Sequence, residues 1–130
     1  MRRRDVHNCF VCSPTNPIGL RLKFKLKDGV ASARFVPKPE HQSYDGVTHG
    51  GILAAVLDDA MGNCFTMRGV KAVTGKMHVR FRKPVPIGCE LRVFGKIVSE
   101  DSRAARAVAW ATGADRAVMV EGRATYIKPE

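Results

Sequence analysis

A single helix-period segment sits among segments of period two, and that imbalance restricts the fold more than any other feature of the chain. Ile52, Leu53, Val56, Leu57, Ala60, Met61, Cys64 and Phe65 recur at helical spacing and fall on one broad arc. The segment is entered through Thr48, a candidate N-cap, and through Gly50 and Gly51, which let another group approach the first backbone N–H groups closely. At about 100° per residue, Asp58 and Asp59 flank the arc on opposite edges. A carboxylate at the rim of an apolar helix, beside a glycine-rich helix start, can do chemistry. Periodicity alone favours the plainer reading, a solvated helix-surface carboxylate, and for Asp59 a surface or subunit contact.

The flanking segments read as strands. Leu20, Leu22, Phe24 and Leu26 alternate with Arg21, Lys23, Lys25 and Lys27, the pattern of a half-buried strand. Asp28-Gly29 is a two-residue hairpin signal, and Val30 to Val36 is the returning strand, ended by Pro37 and Pro39. A polar loop over residues 37–48, which includes His41, Gln42 and Ser43, delivers the chain to the helix, whose end is expected near Arg68-Gly69. A long strand then runs from about Val73 to Lys83. In it Val73, Gly75, Met77, Val79 and Phe81 alternate with Thr74, Lys76, His78, Arg80 and Arg82. Three further strands are expected, about 90–99, 103–112 and 117–127, joined by tight turns at 100–102 and 113–116. This is an α+β plan, an antiparallel sheet wrapped around one long central helix. The edges of such a sheet make a dimer that extends it a reasonable expectation.

The length of 130 residues suits one domain. We divide it into an N-terminal arm, residues 1–19, and a single domain over residues 20–130. A formal net charge of +10 favours an anionic partner: nucleic acid, an acidic membrane or a phosphate-bearing small molecule. Six Phe, two Tyr and one Trp are not interleaved with basic residues in an RNA-binding pattern, so nucleic acid is disfavoured. No apolar stretch has the length of a membrane span or a signal-peptide core, and a cytoplasmic protein is expected. In a reducing compartment the four cysteines are thiols, and Cys64 and Cys89 read as small apolar residues. Cys9 and Cys12 have zinc-knuckle spacing, but there is no second close pair and His7 supplies only a third ligand. A packed arm with reduced thiols is the favoured reading, and the leading arginines, Arg2 to Arg4, read as a solvated tail.

Val47-Thr48-His49-Gly50-Gly51, followed by Asp58 nine positions after His49, resembles the hotdog-fold acyl-CoA thioesterases of the phenylacetyl-CoA and 4-hydroxybenzoyl-CoA type. Phe81-Arg82-Lys83-Pro84 and Gly88 are similar to the family's strand end and turn, so the resemblance covers most of residues 20–128. The arm, with Cys9, Cys12 and Pro17-Ile18-Gly19-Leu20, is similar to an extension in other members. The resemblance implies a hotdog fold and hydrolysis of acyl-CoA to free CoA and a carboxylic acid, with no cofactor and no metal. It implies that Asp58 is the catalytic carboxylate, acting as nucleophile or as general base, and that the Gly50 N–H holds the carbonyl oxygen. That oxyanion role agrees with the positive end of a helix dipole. His49 braces the turn or contacts substrate, and Thr74 matches approximately a hydroxyl residue that orients water in relatives. Many relatives carry an asparagine six positions before the histidine, where this chain has Ser43; Ser43 or Gln42 is the candidate substitute. Gly51 belongs to the same binding turn. Arg80, Arg82 and Lys83 are candidates for the CoA phosphates, although a solvated strand face explains them equally well.

The resulting expectation is a homodimer or homotetramer hydrolysing acyl-CoA. The acyl chain would enter an apolar tunnel beside the helix, and the pantetheine arm would pass between subunits. The alternative is a non-catalytic module that binds acyl-CoA or another small ligand, with a regulatory role.

Overall fold

Asp28 and Gly29 both adopt positive φ, 53° and 79°, the mirror-image turn that joins tightly twisted antiparallel strands. They connect β1 (Lys25–Lys27) to β2 (Val30–Phe35). The computed structural model describes residues 7–129; the arginine tail expected at Arg2 to Arg4 lies outside the described residues. β1 is shorter than the alternation from Leu20 predicts. Burial still alternates, with Leu22 and Phe24 inside and Arg21 and Lys23 outside. The ladder stops because the Leu20 and Leu22 N–H groups donate instead to the Phe10 and Val11 carbonyls of the arm, at 2.8 and 2.9 Å, and Arg21 turns left-handed with φ 58°.

After β2 a short 3-10 turn, Pro39–His41, leads to α1 (Gly50–Thr66). Then follow β3 (Val73–Phe81), β4 (Leu91–Glu100), β5 (Ala104–Thr112) and β6 (Val118–Ile127), close to the predicted spans. One antiparallel sheet has the order β1-β2-β4-β5-β6-β3, so α1 carries the chain from β2 across the sheet to its far edge. This is the hotdog architecture, a curved sheet packed around one helix.

Small residues on the inner sheet face let the helix lie close. Ala105, Ala107, Ala109 and Ala111 are all buried along β5. At Gly95 of β4 a Cβ would fall 2.6 Å from the Ala60 backbone carbonyl. Against this floor α1 buries Leu53, Val56, Leu57, Met61 and Phe65. Each large apolar side chain of this kind contributes roughly 1.5–3 kcal/mol when taken out of water. The helix ends as expected. Gly69 has φ 73°, its N–H reaches the Thr66 carbonyl, and the Val70 N–H reaches that of Phe65, together a Schellman closure.

The N-terminus of α1 differs from the expectation. His49, not Thr48, is the N-cap: its Nδ1 accepts the Gly51 N–H at 2.8 Å. Thr48 is buried, its backbone N–H donates to the Val85 carbonyl, and its hydroxyl has no partner among the described residues. Cross-strand pairing through Val85 places Thr48 one residue too early in the chain to cap.

Candidate active site

Asp58 lies on the sheet-facing rim of α1, half-buried, and two hydroxyls from two strands converge on it. Thr74 donates from β3 to Asp58 Oδ1 at 2.7 Å. Tyr126 donates from β6 to the same oxygen at 2.6 Å and also lies 2.8 Å from the Asp58 backbone carbonyl. Tyr126 is only 2% exposed, with its ring 5.0 Å from that of Phe65. Burial, followed by the Asp58 carboxylate, pushes its phenol well above the ordinary tyrosine range, so it stays a donor at neutral pH. Both hydroxyls bind the same carboxylate oxygen, Oδ1.

Thr74 reaches Asp58 through a bulge. Simple alternation puts it with Lys76, His78, Arg80 and Arg82, on the face opposite Met77 and Val79. The β3–β6 register shifts between Thr74 and Lys76, and the extra residue, Gly75, turns Thr74 to the helix side. Only glycine fits there without displacement, since a Cβ would lie 3.0 Å from Ile127 Cγ1.

The turn at the helix start forms a second cluster. Helix geometry leaves the Gly50 N–H without an intrahelical acceptor, whereas the Gly51 N–H is taken by His49. His49 therefore braces the turn, and an Nδ1 that accepts a hydrogen bond puts the ring proton on Nε2. A Cβ on Gly51 would sit 3.0 Å from His49 Nδ1, and one on Gly50 would meet the Phe81 ring at 3.3 Å. Gln42 and Ser43 lie exposed in the preceding loop, where Gln42 Oε1 accepts the Gly46 N–H at 3.0 Å and the Ser43 backbone N–H donates to the Val47 carbonyl at 2.9 Å.

These two clusters do not meet within one chain. Gly50 and Asp58 are eight residues apart on the same helix, which at 1.5 Å rise per residue is roughly 12 Å. No single carbonyl can touch both. The basic candidates are elsewhere again. Arg80 and Arg82 line a groove of about 710 Å³ on the outer sheet face with His78, Trp110, Glu121 and Arg123, and Arg82 is ion-paired with Glu121. The Lys83 N–H is held by the Met119 carbonyl at 3.1 Å.

Tyr126 is the member of this constellation that reading the sequence missed. A signal was present: it closes the inward series Val120, Gly122, Ala124, and a buried tyrosine in such a series needs a partner for its hydroxyl. Asp59 also departs from expectation. It is not a solvated side chain but lies under the N-terminal arm, where Cys9 Sγ is 3.3 Å from its Oδ1 and Asn63 Nδ2 2.9 Å from its Oδ2.

Residues 45–106 match a family model described as Thioesterase superfamily. Acyl-coenzyme A thioesterase THEM4 of Xenopus laevis is 28% identical over 69 residues, 53% of this chain and 31% of that protein. The match thus spans about a third of that relative's length. The solved structure of RHA08564, described as a thioesterase superfamily protein, is 26% identical with a TM-score of 0.83, covering 89% of this chain and 61% of that one. A hypothetical thioesterase from Streptococcus pneumoniae TIGR4, solved with coenzyme A, shares the fold at 18% identity and a TM-score of 0.78, with 83% of this chain and 85% of that one covered. Among the described residues, no helix is long and apolar enough to cross a membrane.

Proposed function

Because the chain belongs to the hotdog-fold thioesterase superfamily, we propose that it hydrolyses acyl-CoA thioesters, with Asp58 as the carboxylate that attacks the carbonyl or activates water. The observation that carries this reading is the fixing of one Asp58 oxygen by Tyr126 and Thr74. A carboxylate so held keeps its orientation while its other oxygen faces the thioester, and orientation is a large part of what a catalytic group supplies. As general base it takes a proton from water, the water oxygen bonds to the carbonyl carbon, and the carbon–sulfur bond breaks to release CoA as thiolate. As nucleophile it bonds to the carbonyl carbon and the carbon–sulfur bond breaks to release CoA as thiolate, leaving an acyl-carboxylate anhydride that water then hydrolyses to the free acid and the regenerated carboxylate. In both routes charge develops on the carbonyl oxygen, and a backbone N–H at a helix start is suited to receive it.

The separation of Gly50 from Asp58 supports an assembly in which a second copy completes the site. β3 is the means: it is a nine-residue edge strand that, among the described residues, pairs only with β6, and it leaves Val73 and Phe81 about half exposed. Long unpaired edges of this kind are templates for pairing with another chain. A two-fold copy with its helix running the opposite way would bring its helix start towards Asp58. That the S. pneumoniae protein was solved with coenzyme A supports CoA as the carrier, and the net positive charge suits its phosphates.

Thiol release from a panel of aromatic and aliphatic acyl-CoAs tests the reading, with Asp58→Asn compared against the turn variant Asp115→Asn. Turnover that falls by about 10²–10⁴ in Asp58→Asn alone is expected for loss of a general base. Equal turnover in both variants would overturn the assignment of Asp58. Saturable acyl-CoA binding without turnover in the parent protein would replace hydrolysis by ligand binding.

A further inference from the structure

The edge of α1 opposite Asp58 carries a second constellation that the proposed hydrolysis does not use. The turn around Cys9 and Cys12, closed by the Ser13 N–H donating to the Cys9 carbonyl at 3.1 Å, points both thiols at the helix. Cys12 Sγ is 3.1 Å from Cys9 Sγ, Cys9 Sγ is 3.3 Å from Asp59 Oδ1, and all three donor atoms lie within 4.8 Å of one another. Cys12 is buried and Cys9 and Asp59 are half-buried. We propose that Cys9, Cys12 and Asp59 form a binding site for a single thiophilic divalent cation of the zinc class, clipping the N-terminal arm to the helix.

The dimensions suit tetrahedral zinc. With Zn–S near 2.3 Å and Zn–O near 2.1 Å, tetrahedral ligands sit about 3.8 Å apart for two sulfurs and about 3.6 Å for sulfur and oxygen. The Cys9–Cys12 sulfur separation of 3.1 Å needs to open by about 0.7 Å, and the Cys9–Asp59 separation of 3.3 Å by about 0.3 Å. Two thiolates with one carboxylate select zinc over magnesium or calcium, whose preferred ligands are all oxygen. Three protein ligands leave the fourth position to water or to a ligand from solution.

The surroundings are those of a metal ligand set. Asn63 is 2% exposed, and its Nδ2 binds both Asp59 Oδ2 and the Asp59 carbonyl, each at 2.9 Å, so the carboxylate is oriented from outside the cluster. Its Oδ1 is buried and has no hydrogen-bond partner among the described residues, an acceptor left open next to the cluster. Burial, then the charge of Asp59 and the neighbouring Cys9, pushes the Cys12 thiol far above its ordinary range. Without a cation the Cys12 sulfur holds its proton. With one, Zn²⁺ and two thiols give a dithiolate complex and two protons pass to solvent, the negative environment now favouring the bound ion. His7 is not part of the group; Asp59, distant in sequence, supplies the third ligand instead.

The test uses the full chain, reduced and free of chelator, titrated with Co²⁺ and then with Zn²⁺. Expected is one equivalent of Co²⁺ with a thiolate-to-cobalt band in the near ultraviolet and visible d–d bands, bleached as Zn²⁺ displaces it. The bands should be lost in Cys9→Ser and in Cys12→Ser and retained in Cys89→Ser, and Zn²⁺ should raise the melting temperature of the parent but not of Cys9→Ser. Since Cys12 is buried and Cys12→Ser can misfold, the half-buried Cys9→Ser and the carboxylate variant Asp59→Asn each stand as independent arms, with circular dichroism as the folding control. A parent protein that gives no thiolate band overturns the proposal. So do bands that persist in Cys9→Ser, and so does a Cys9–Cys12 disulfide in the protein recovered after metal loading under reducing conditions.

Discussion

Asp58 and Asp59 are adjacent in the chain, identical in chemistry and similar in exposure, yet the helix turns them to opposite flanks and so to different partners. On one flank Asp58 meets the hydroxyls of Thr74 and Tyr126, both from strands. On the other, Asp59 meets two thiols from the arm and an amide one turn along its own helix. Hydroxyl donors hold one carboxylate oxygen of Asp58, the arrangement on which the proposed hydrolysis rests. Thiols and a carboxylate are all ligand atoms once deprotonated, so the second flank is built to gather around a cation. The lesson is that the role of a carboxylate is set by what the tertiary structure brings to it, and a rotation of about 100° suffices to change it.

The contrast can be tested from each side. Tyr126→Phe removes a hydrogen bond to a charged group, worth about 1.5–3 kcal/mol. It should lower kcat on the best acyl-CoA by roughly tenfold or more, with KM little changed, if Asp58 must be held in one orientation. A KM effect with kcat intact would mean that the tyrosine serves binding instead. On the other flank, Asn63→Ala strips Asp59 of its amide donor and should cost about 1–3 kcal/mol of stability, read as a lower urea midpoint at constant slope. An unchanged midpoint would show that Asp59 needs no such support.

Thr74→Val should be milder than Tyr126→Phe, a few-fold in kcat, because Thr74 is exposed and water can take its place. Equal effects would mean that water does not reach that side of Asp58. The smallest effect is expected at a third carboxylate, Glu100, which serves neither flank. Its hydrogen bonds with Arg68 and Lys128 lower its pKa from 4.5 to about 2. A depressed carboxylate pKa stabilises the fold above the unfolded value, and that stability is lost as pH falls from about 4.5 towards 2. Glu100→Gln should therefore remove part of the acid limb of the stability profile while costing no more than about 1 kcal/mol at neutral pH. A larger loss at neutral pH would make this pair a structural anchor of the helix end.

What could be read along the chain was whatever rests on neighbours in sequence. The Asp28-Gly29 turn, the single helix with its buried arc, and the last three strands follow from local conformational preference and from periods of 3.6 and 2. Thr48 misled because its type suits an N-cap, but its backbone pairs with Val85 and the cap passes to His49. The strand expected from Leu20 was cut short by carbonyls of the arm. The resemblance offered Thr74 as a site residue, but strict alternation, which groups it with Lys76 and His78, has no term for the extra residue at Gly75 that turns it to Asp58.

The sequence by itself determined the architecture, one amphipathic helix among alternating strands, because apolar periodicity and turn chemistry act over a few residues at a time. The family resemblance carried by His49, Gly50, Gly51 and Asp58 also offered Asp58 as a candidate. Only the tertiary structure decided the partners of the two carboxylates. Tyr126 reaches Asp58 across 68 residues and Cys9 reaches Asp59 across 50. Such contacts exist only once the sheet has closed on the helix and the arm has folded over it.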